Sequence, residues 1–113
     1  MKKIFALFLL LILSGCTKNA NLDNFAKCIS DKGMIMYGAY WCPHCNNQKT
    51  LFSNSFQYVN YIECSLPNKA GQTQICIDAG IKKYPTWEFG DKTRSEGEMS
   101  LLQLSQKSGC PLN

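Results

Sequence analysis

Met34-Ile35-Met36-Tyr37-Gly38-Ala39 is apolar apart from Gly38, and three residues later the chain reads Cys42-Pro43-His44-Cys45. A continuously apolar run of this length fits a central strand covered on both faces. Pro43 suits the first position of a helix, because its missing N–H costs nothing there. The stretch therefore reads as a strand feeding through a short turn into a helix, with two sulfurs at the turn. Two cysteines separated by two residues at a helix start can close a small disulfide or open it.

The rest of the pattern builds around that unit. Asn21 to Asp31 reads as a helix, with Leu22, Phe25, Cys28 and Ile29 at helical spacing and Lys32-Gly33 ending it. The helix opened by Pro43 runs to about Phe52. Tyr58 to Cys64 reads as a second strand, rich in aromatic and β-branched residues. Pro67 to Gly71 is a loop, and Thr73 to Ala79 a helix closed by Gly80. Thr86-Trp87-Glu88-Phe89 reads as an alternating strand, Gly90-Asp91 as a hairpin turn and Thr93 to Glu96 as a short return strand. Ser100-Leu101-Leu102-Gln103 matches a capping box that opens a last helix, ended by Gly109. Parallel strands joined by crossover helices and followed by a hairpin predict an α/β/α sandwich. Its central mixed sheet has about four strands, with helices on both faces.

The first residues read differently. Lys2 and Lys3 precede ten unbroken apolar residues, Ile4 to Leu13. That is too short to span a bilayer and suits the core of a secretory signal peptide. Leu13-Ser14-Gly15-Cys16 resembles the lipobox of bacterial lipoproteins. In that family the signal is cut before the cysteine, which is diacylated. The alternative is an ordinary signal peptide with Cys16 incidental, but Lys18 spoils the nearest small-residue cleavage site. The expected organisation is a signal peptide over 1–15, a lipidated Cys16 with a polar tether over 16–21, and one domain over 22–113. Two or more acyl chains hold a protein stably at a membrane. The expected location is outside the cytoplasm, lipid-anchored to a bacterial membrane at its periplasmic face or on the cell surface.

Charge and histidine content exclude several chemistries. The formal charge of +4 falls to +2 without Lys2 and Lys3, too little for nucleic-acid or polybasic membrane binding. There is no Gly-rich phosphate loop and no internal repeat. His44 is the lone histidine, so no Ser-His or Cys-His hydrolase can draw on a second.

Seven cysteines occur: Cys16, Cys28, Cys42, Cys45, Cys64, Cys76 and Cys110. With Cys16 lipidated and Cys42 and Cys45 assigned to redox chemistry, four remain for structural bridges in an oxidising compartment. Four cysteines allow three pairings, and sequence alone does not choose between them. The expected pairing is Cys64–Cys76, from strand end to following helix, and Cys28–Cys110, between the two ends of the domain. Zinc is the rival reading, but structural zinc sites favour two CxxC pairs and this chain has one. No metal and no bound cofactor beyond a redox disulfide is expected.

Trp41-Cys42-Pro43-His44-Cys45 after the first strand, with Tyr84-Pro85-Thr86 about forty residues on, resembles the thioredoxin fold. The resemblance runs from about Leu22 to Cys110. Phe25-Ala26-Lys27-Cys28, Met36 to Cys45, Tyr84-Pro85-Thr86-Trp87 and Ser108-Gly109-Cys110 give a narrower match. They look like the thioredoxin-like domain associated with bacterial vitamin K epoxide reductase homologues. In that family a membrane four-helix bundle, often fused to the domain, re-oxidises it with quinone, and the domain passes the disulfide to secreted proteins. The resemblance implies a membrane redox partner of that kind acting in trans, exported cysteine-containing clients and a monomeric domain.

Cys42 at the helix N-terminus is then the attacking sulfur, because unpaired N–H groups and the helix dipole favour negative charge there. Cys45, one turn deeper, is the buried partner. Pro43 stiffens the turn. His44, between the sulfurs, can donate a hydrogen bond or a charge to the Cys42 thiolate, which would make the disulfide more oxidising. A Cys-Pro-His-Cys centre resembles the bacterial oxidant DsbA more than thioredoxin, whose central dipeptide is Gly-Pro. Trp41 reads equally as core or as an apolar platform for substrate. The resemblance implies a cis Pro85 packed against the sulfurs, which leaves the Tyr84 backbone free to pair with an extended substrate, and Thr86 beside it. Thioredoxins carry a buried Asp six residues before the first active-site cysteine, and here that position is Met36. Glu63 is a candidate for the Cys45 proton, against the plainer reading of an exposed strand-end carboxylate. The functional expectation is a membrane-anchored thiol–disulfide oxidoreductase donating disulfides. The alternatives are a reductase or isomerase, and a non-catalytic binding lipoprotein.

Overall fold

A computed structural model describes residues 20–112. The signal peptide over 1–15, the lipidation at Cys16 and the tether as far as 19 lie outside the described residues. The first helix begins at Ala20, one residue before the expected Asn21.

Four strands make one mixed sheet. Helix α1 (Ala20–Asp31) leads to β1 (Ile35–Gly38), α2 (Pro43–Phe52), β2 (Tyr61–Glu63), α3 (Gln74–Asp78), β3 (Thr86–Glu88), β4 (Arg94–Glu96) and α4 (Leu101–Ser108). The spatial order is β2-β1-β3-β4. The β1–β2 pair is parallel, with Met36 opposite Tyr61 and Gly38 opposite Glu63. The other two pairs are antiparallel. Parallel pairing needs a crossover, which α2 supplies. This is the thioredoxin-like α/β/α sandwich.

Alternation along β1 divides the core. Met36 points into the cluster formed with Phe25 and Ile29 of α1, Phe52 of α2, Trp87 of β3 and Leu104 of α4. Tyr37 points the other way, toward Cys64, Cys76 and Ile81. Helix α4 begins with the expected capping box, Ser100 with Gln103, and stops at Gly109, whose φ of 74° is the left-handed conformation glycine tolerates.

Two expectations about strands change. Tyr58 belongs to a 3-10 turn, Ser53–Tyr58, and the second strand starts only at Tyr61. Side chains bind backbone locally there: the Gln57 amide donates to the Asn54 carbonyl at 3.0 Å. Such bonds compete with a sheet ladder. Phe56 in that turn packs edge-on against both Phe52 and Tyr61. The third strand is not half-exposed, since Thr86, Trp87 and Glu88 are all buried. Burial of Glu88 is compensated by Arg94 across the hairpin, at 3.0 Å.

Disulfides join Cys28 to Cys110 and Cys64 to Cys76. The first fastens α1 to the chain beyond α4 and spans 82 residues of sequence. Long loops lose much entropy when closed, so replacing both Cys28 and Cys110 with serine should lower stability by roughly 2–5 kcal/mol. Urea denaturation monitored by tryptophan fluorescence reads this directly. An unchanged midpoint would show that the bridge contributes nothing.

Candidate active site

Strand β1 runs into the sulfur pair through a tight connection. The Cys42 N–H donates to the Ala39 carbonyl at 3.0 Å, and the Cys42 carbonyl accepts the first helical bond, from Asn46, at 3.1 Å. Cys42 is the N-cap of α2, with extended φ and ψ, and Pro43 fills the first turn. No side chain caps this end. Its free N–H groups and the helix dipole are therefore available to charge on the Cys42 sulfur. Cys42 is 7% exposed and Cys45, one turn on, is fully buried. Both are free thiols.

A second segment closes over them. The Tyr84–Pro85 peptide is cis and Pro85 is buried. The Cys42 Sγ donates to the Tyr84 carbonyl at 3.6 Å. Trp41 is 39% exposed, so it belongs to the rim of the site and not to the core. Its indole N–H donates to Ser65 Oγ at 2.7 Å and its ring meets Tyr84 edge-on. Thr86 is buried, its hydroxyl donating to the Lys83 carbonyl at 2.7 Å.

His44 is turned outward. Its Nδ1 lies 3.3 Å from Glu98 Oε2, its side chain is 69% exposed, and Cys42 is not among its hydrogen-bond partners. Glu63 is more than a strand-end carboxylate. Its Oε1 accepts from the Tyr61 hydroxyl at 2.9 Å, and its Oε2 accepts from the backbone N–H of Tyr40 at 3.2 Å and of Ser65 at 2.9 Å.

Burial pushes the Cys45 thiol up to about 12. The Cys42 sulfur adds to that shift, while the Ala39 N–H and the Lys49 charge offset part of it. The sulfurs are thus unlike: one borders solvent at a helix terminus, and the other holds its proton. A linkage follows. Cys45 binds its proton more tightly when folded than in the unfolded chain, where a thiol has its ordinary value of 9.0. The associated stability is complete below that pH and is lost as pH rises toward 12. A Cys42→Ser protein should therefore lose ~1.4 kcal/mol between about pH 8 and about pH 10, relative to one lacking both thiols. Urea titrations of the two proteins at both pH values measure it. Parallel pH dependence would mean that Cys45 ionises freely.

Three contributors were not legible in the sequence: Tyr61, Gln48 and Glu98. Only Tyr61 left a signal, since residues two apart on a strand share a face and Tyr61 and Glu63 are so spaced. Among the described residues no group of three or more His, Cys, Asp or Glu is placed to hold a metal. Cys28, Cys64, Cys76 and Cys110 are spent in disulfides.

No protein-family model matches the chain. Over 92 residues, 78% of its length, the chain is 39% identical to "Thiol-disulfide oxidoreductase LTO1" of Arabidopsis thaliana. The match covers 24% of that protein, so the chain spans about a quarter of the length of this relative.

Proposed function

We propose that this chain is a thiol–disulfide oxidoreductase whose Cys42–Cys45 couple donates disulfides to exported proteins. One observation carries the reading: Cys42 stands at the N-cap position of α2 with its sulfur against the Tyr84 carbonyl of the cis Tyr84–Pro85 segment, while Cys45 lies buried one turn on. A reactive thiol needs an electropositive, reachable position, and its resolving partner needs to be near. The name of the Arabidopsis relative supports the same chemistry.

A client thiolate attacks Cys42 of the disulfide form and Cys45 leaves. A second client thiol then attacks the mixed disulfide, and the client departs oxidised. Tyr84 presents backbone beside the sulfur for an extended client strand, and Trp41 offers an apolar rim. Re-oxidation falls to a membrane quinone-linked partner resembling a vitamin K epoxide reductase homologue. Lipid on Cys16 would keep the domain beside it, outside the cytoplasm. Among the described residues no helix is long and apolar enough to cross a membrane.

The test is a glutathione titration of the couple, read by tryptophan fluorescence. A potential near about −120 mV marks a disulfide donor, and one near about −270 mV would replace that reading with a reductase. A pair that never cycles between dithiol and disulfide would overturn the oxidoreductase altogether. Acyl labelling abolished by Cys16→Ser tests the anchor.

A further inference from the structure

Cys45 is sealed from water, yet each turn of the exchange must give it a proton and take one away. Position 36, where thioredoxins carry an acid, is an apolar, buried methionine. The proton needs another path, and the space beside Gly38 holds one. A Cβ on Gly38 would meet Cys45 Sγ at 3.0 Å, and on the same count the Tyr61 ring at 3.0 Å and the Tyr61 hydroxyl at 3.3 Å. Sulfur and hydroxyl are therefore no further apart than two of those distances laid end to end. A single bridging water spans such a gap, and the transfers between Cys45 and Tyr61 run through it. The hydroxyl in turn donates to Glu63 Oε1 at 2.9 Å. Glu63 is only partly buried, so the line ends at solvent.

We infer that Tyr61 and Glu63 form the proton path of Cys45, with Tyr61 as the bridging hydroxyl and Glu63 as the outlet to water. The inference rests on the oxidoreductase reading above.

In the disulfide-donating direction a client thiolate attacks Cys42 Sγ and the Cys42–Cys45 bond breaks. Its electron pair goes to Cys45 Sγ, which takes the Tyr61 hydroxyl proton. Tyr61 is reprotonated by water through the Glu63 carboxyl group. In reverse, Cys45 S–H passes its proton to the Tyr61 oxygen as the hydroxyl proton moves to the Glu63 carboxylate. The Cys45 sulfur then displaces the client from Cys42. A hydroxyl suits the middle of such a chain because it gives and receives a proton in one motion. Burial, followed by the bond to Glu63 and its charge, keeps the Tyr61 hydroxyl well above its ordinary value, so it stays protonated between turnovers.

The surroundings hold the path in place. From α2, Lys49 Nζ lies 4.2 Å from the Tyr61 ring centre, and the Cys45 and Cys42 sulfurs are near enough to help hold the hydroxyl's proton. Backbone N–H groups of Tyr40 and Ser65 fix the second carboxylate oxygen. Phe56 packs edge-on from the turn before β2. Lys49 is the only cation over the Tyr61 ring among the described residues.

Tyr61→Phe and Glu63→Gln in the full chain test the path, with reduced glutathione as the attacking thiol and stopped-flow tryptophan fluorescence as the readout. Each variant should reduce its disulfide at least roughly tenfold more slowly than the parent, the scale of a lost proton-transfer group. Each should also lose one ionisation from the pH–rate profile. Parental rates and profiles in both variants overturn the path, and so does a uniform slowing with an unaltered profile, which marks a structural role. Should Tyr61→Phe fail to fold, Glu63→Gln carries the same test, since its amide keeps a carbonyl oxygen and the shape of the side chain. A parent protein that does not react with glutathione overturns the functional reading instead.

Discussion

Cys42→Ser should lower the rate of thiol–disulfide exchange by roughly a thousandfold or more, whereas Cys45→Ser should leave the attack of Cys42 on a disulfide-bonded peptide intact and stall release of that peptide. Removing an enzyme's nucleophile costs on that scale because no other group replaces its bond-forming electrons. The asymmetry comes from geometry. Cys42 borders solvent at the uncapped start of α2, beside the Tyr84 carbonyl. Cys45 has no exposed surface and a thiol that keeps its proton. A disulfide-bonded peptide offered to the reduced Cys45→Ser protein should accumulate as an adduct on residue 42, visible by mass spectrometry. The Cys42→Ser protein should form none. Adducts on Cys45, or exchange that survives loss of Cys42, would reverse the assignment of the two sulfurs.

Gln48→Leu should destabilise the domain by ~3 kcal/mol or more, although leucine has similar bulk and greater apolarity. Gln48 is fully buried in α2. Its Oε1 accepts from the Trp87 indole N–H at 3.1 Å and from the Met99 N–H at 2.7 Å, and its Nε2 donates to the Met99 carbonyl at 2.8 Å. Leucine would leave three buried polar groups without partners, at ~1–3 kcal/mol each. The side chain also ties α2, which carries both sulfurs, to β3 and to the segment before α4. For a domain whose total stability is of order 5–15 kcal/mol, such a loss is a large fraction. Urea unfolding of the variant gives the value. A change below about 1 kcal/mol would mean that the freed groups find other partners.

How far the sequence carried depended on range. The helix opened by Pro43, the capping box at Ser100 and the glycine stop at 109 are local devices, readable within a few residues. Aromatic content suggests strand at Tyr58, whereas the Gln57 side chain, bonded to the Asn54 backbone carbonyl, settles a turn. The alternation of Thr86-Trp87-Glu88-Phe89 suggests a strand with one face toward solvent, yet Glu88 is buried. Its partner Arg94 makes burial tolerable, and that pairing exists only once the hairpin closes. His44 lies within the CxxC, but the carboxylate it faces is 54 residues away in sequence.

By itself the sequence determined that a buried strand ends in a helix start bearing two sulfurs, because hydrophobic run length, proline at the first helical position and cysteine spacing act over one or two turns. Tertiary structure alone decided what those sulfurs meet. The parallel register of Met36 with Tyr61 and Gly38 with Glu63 brings a hydroxyl and a carboxylate beneath Cys45, and the sheet's third strand follows a segment that lays the Tyr84 carbonyl against Cys42. Register is a property of two strands packed on a common core, and neither strand encodes it alone.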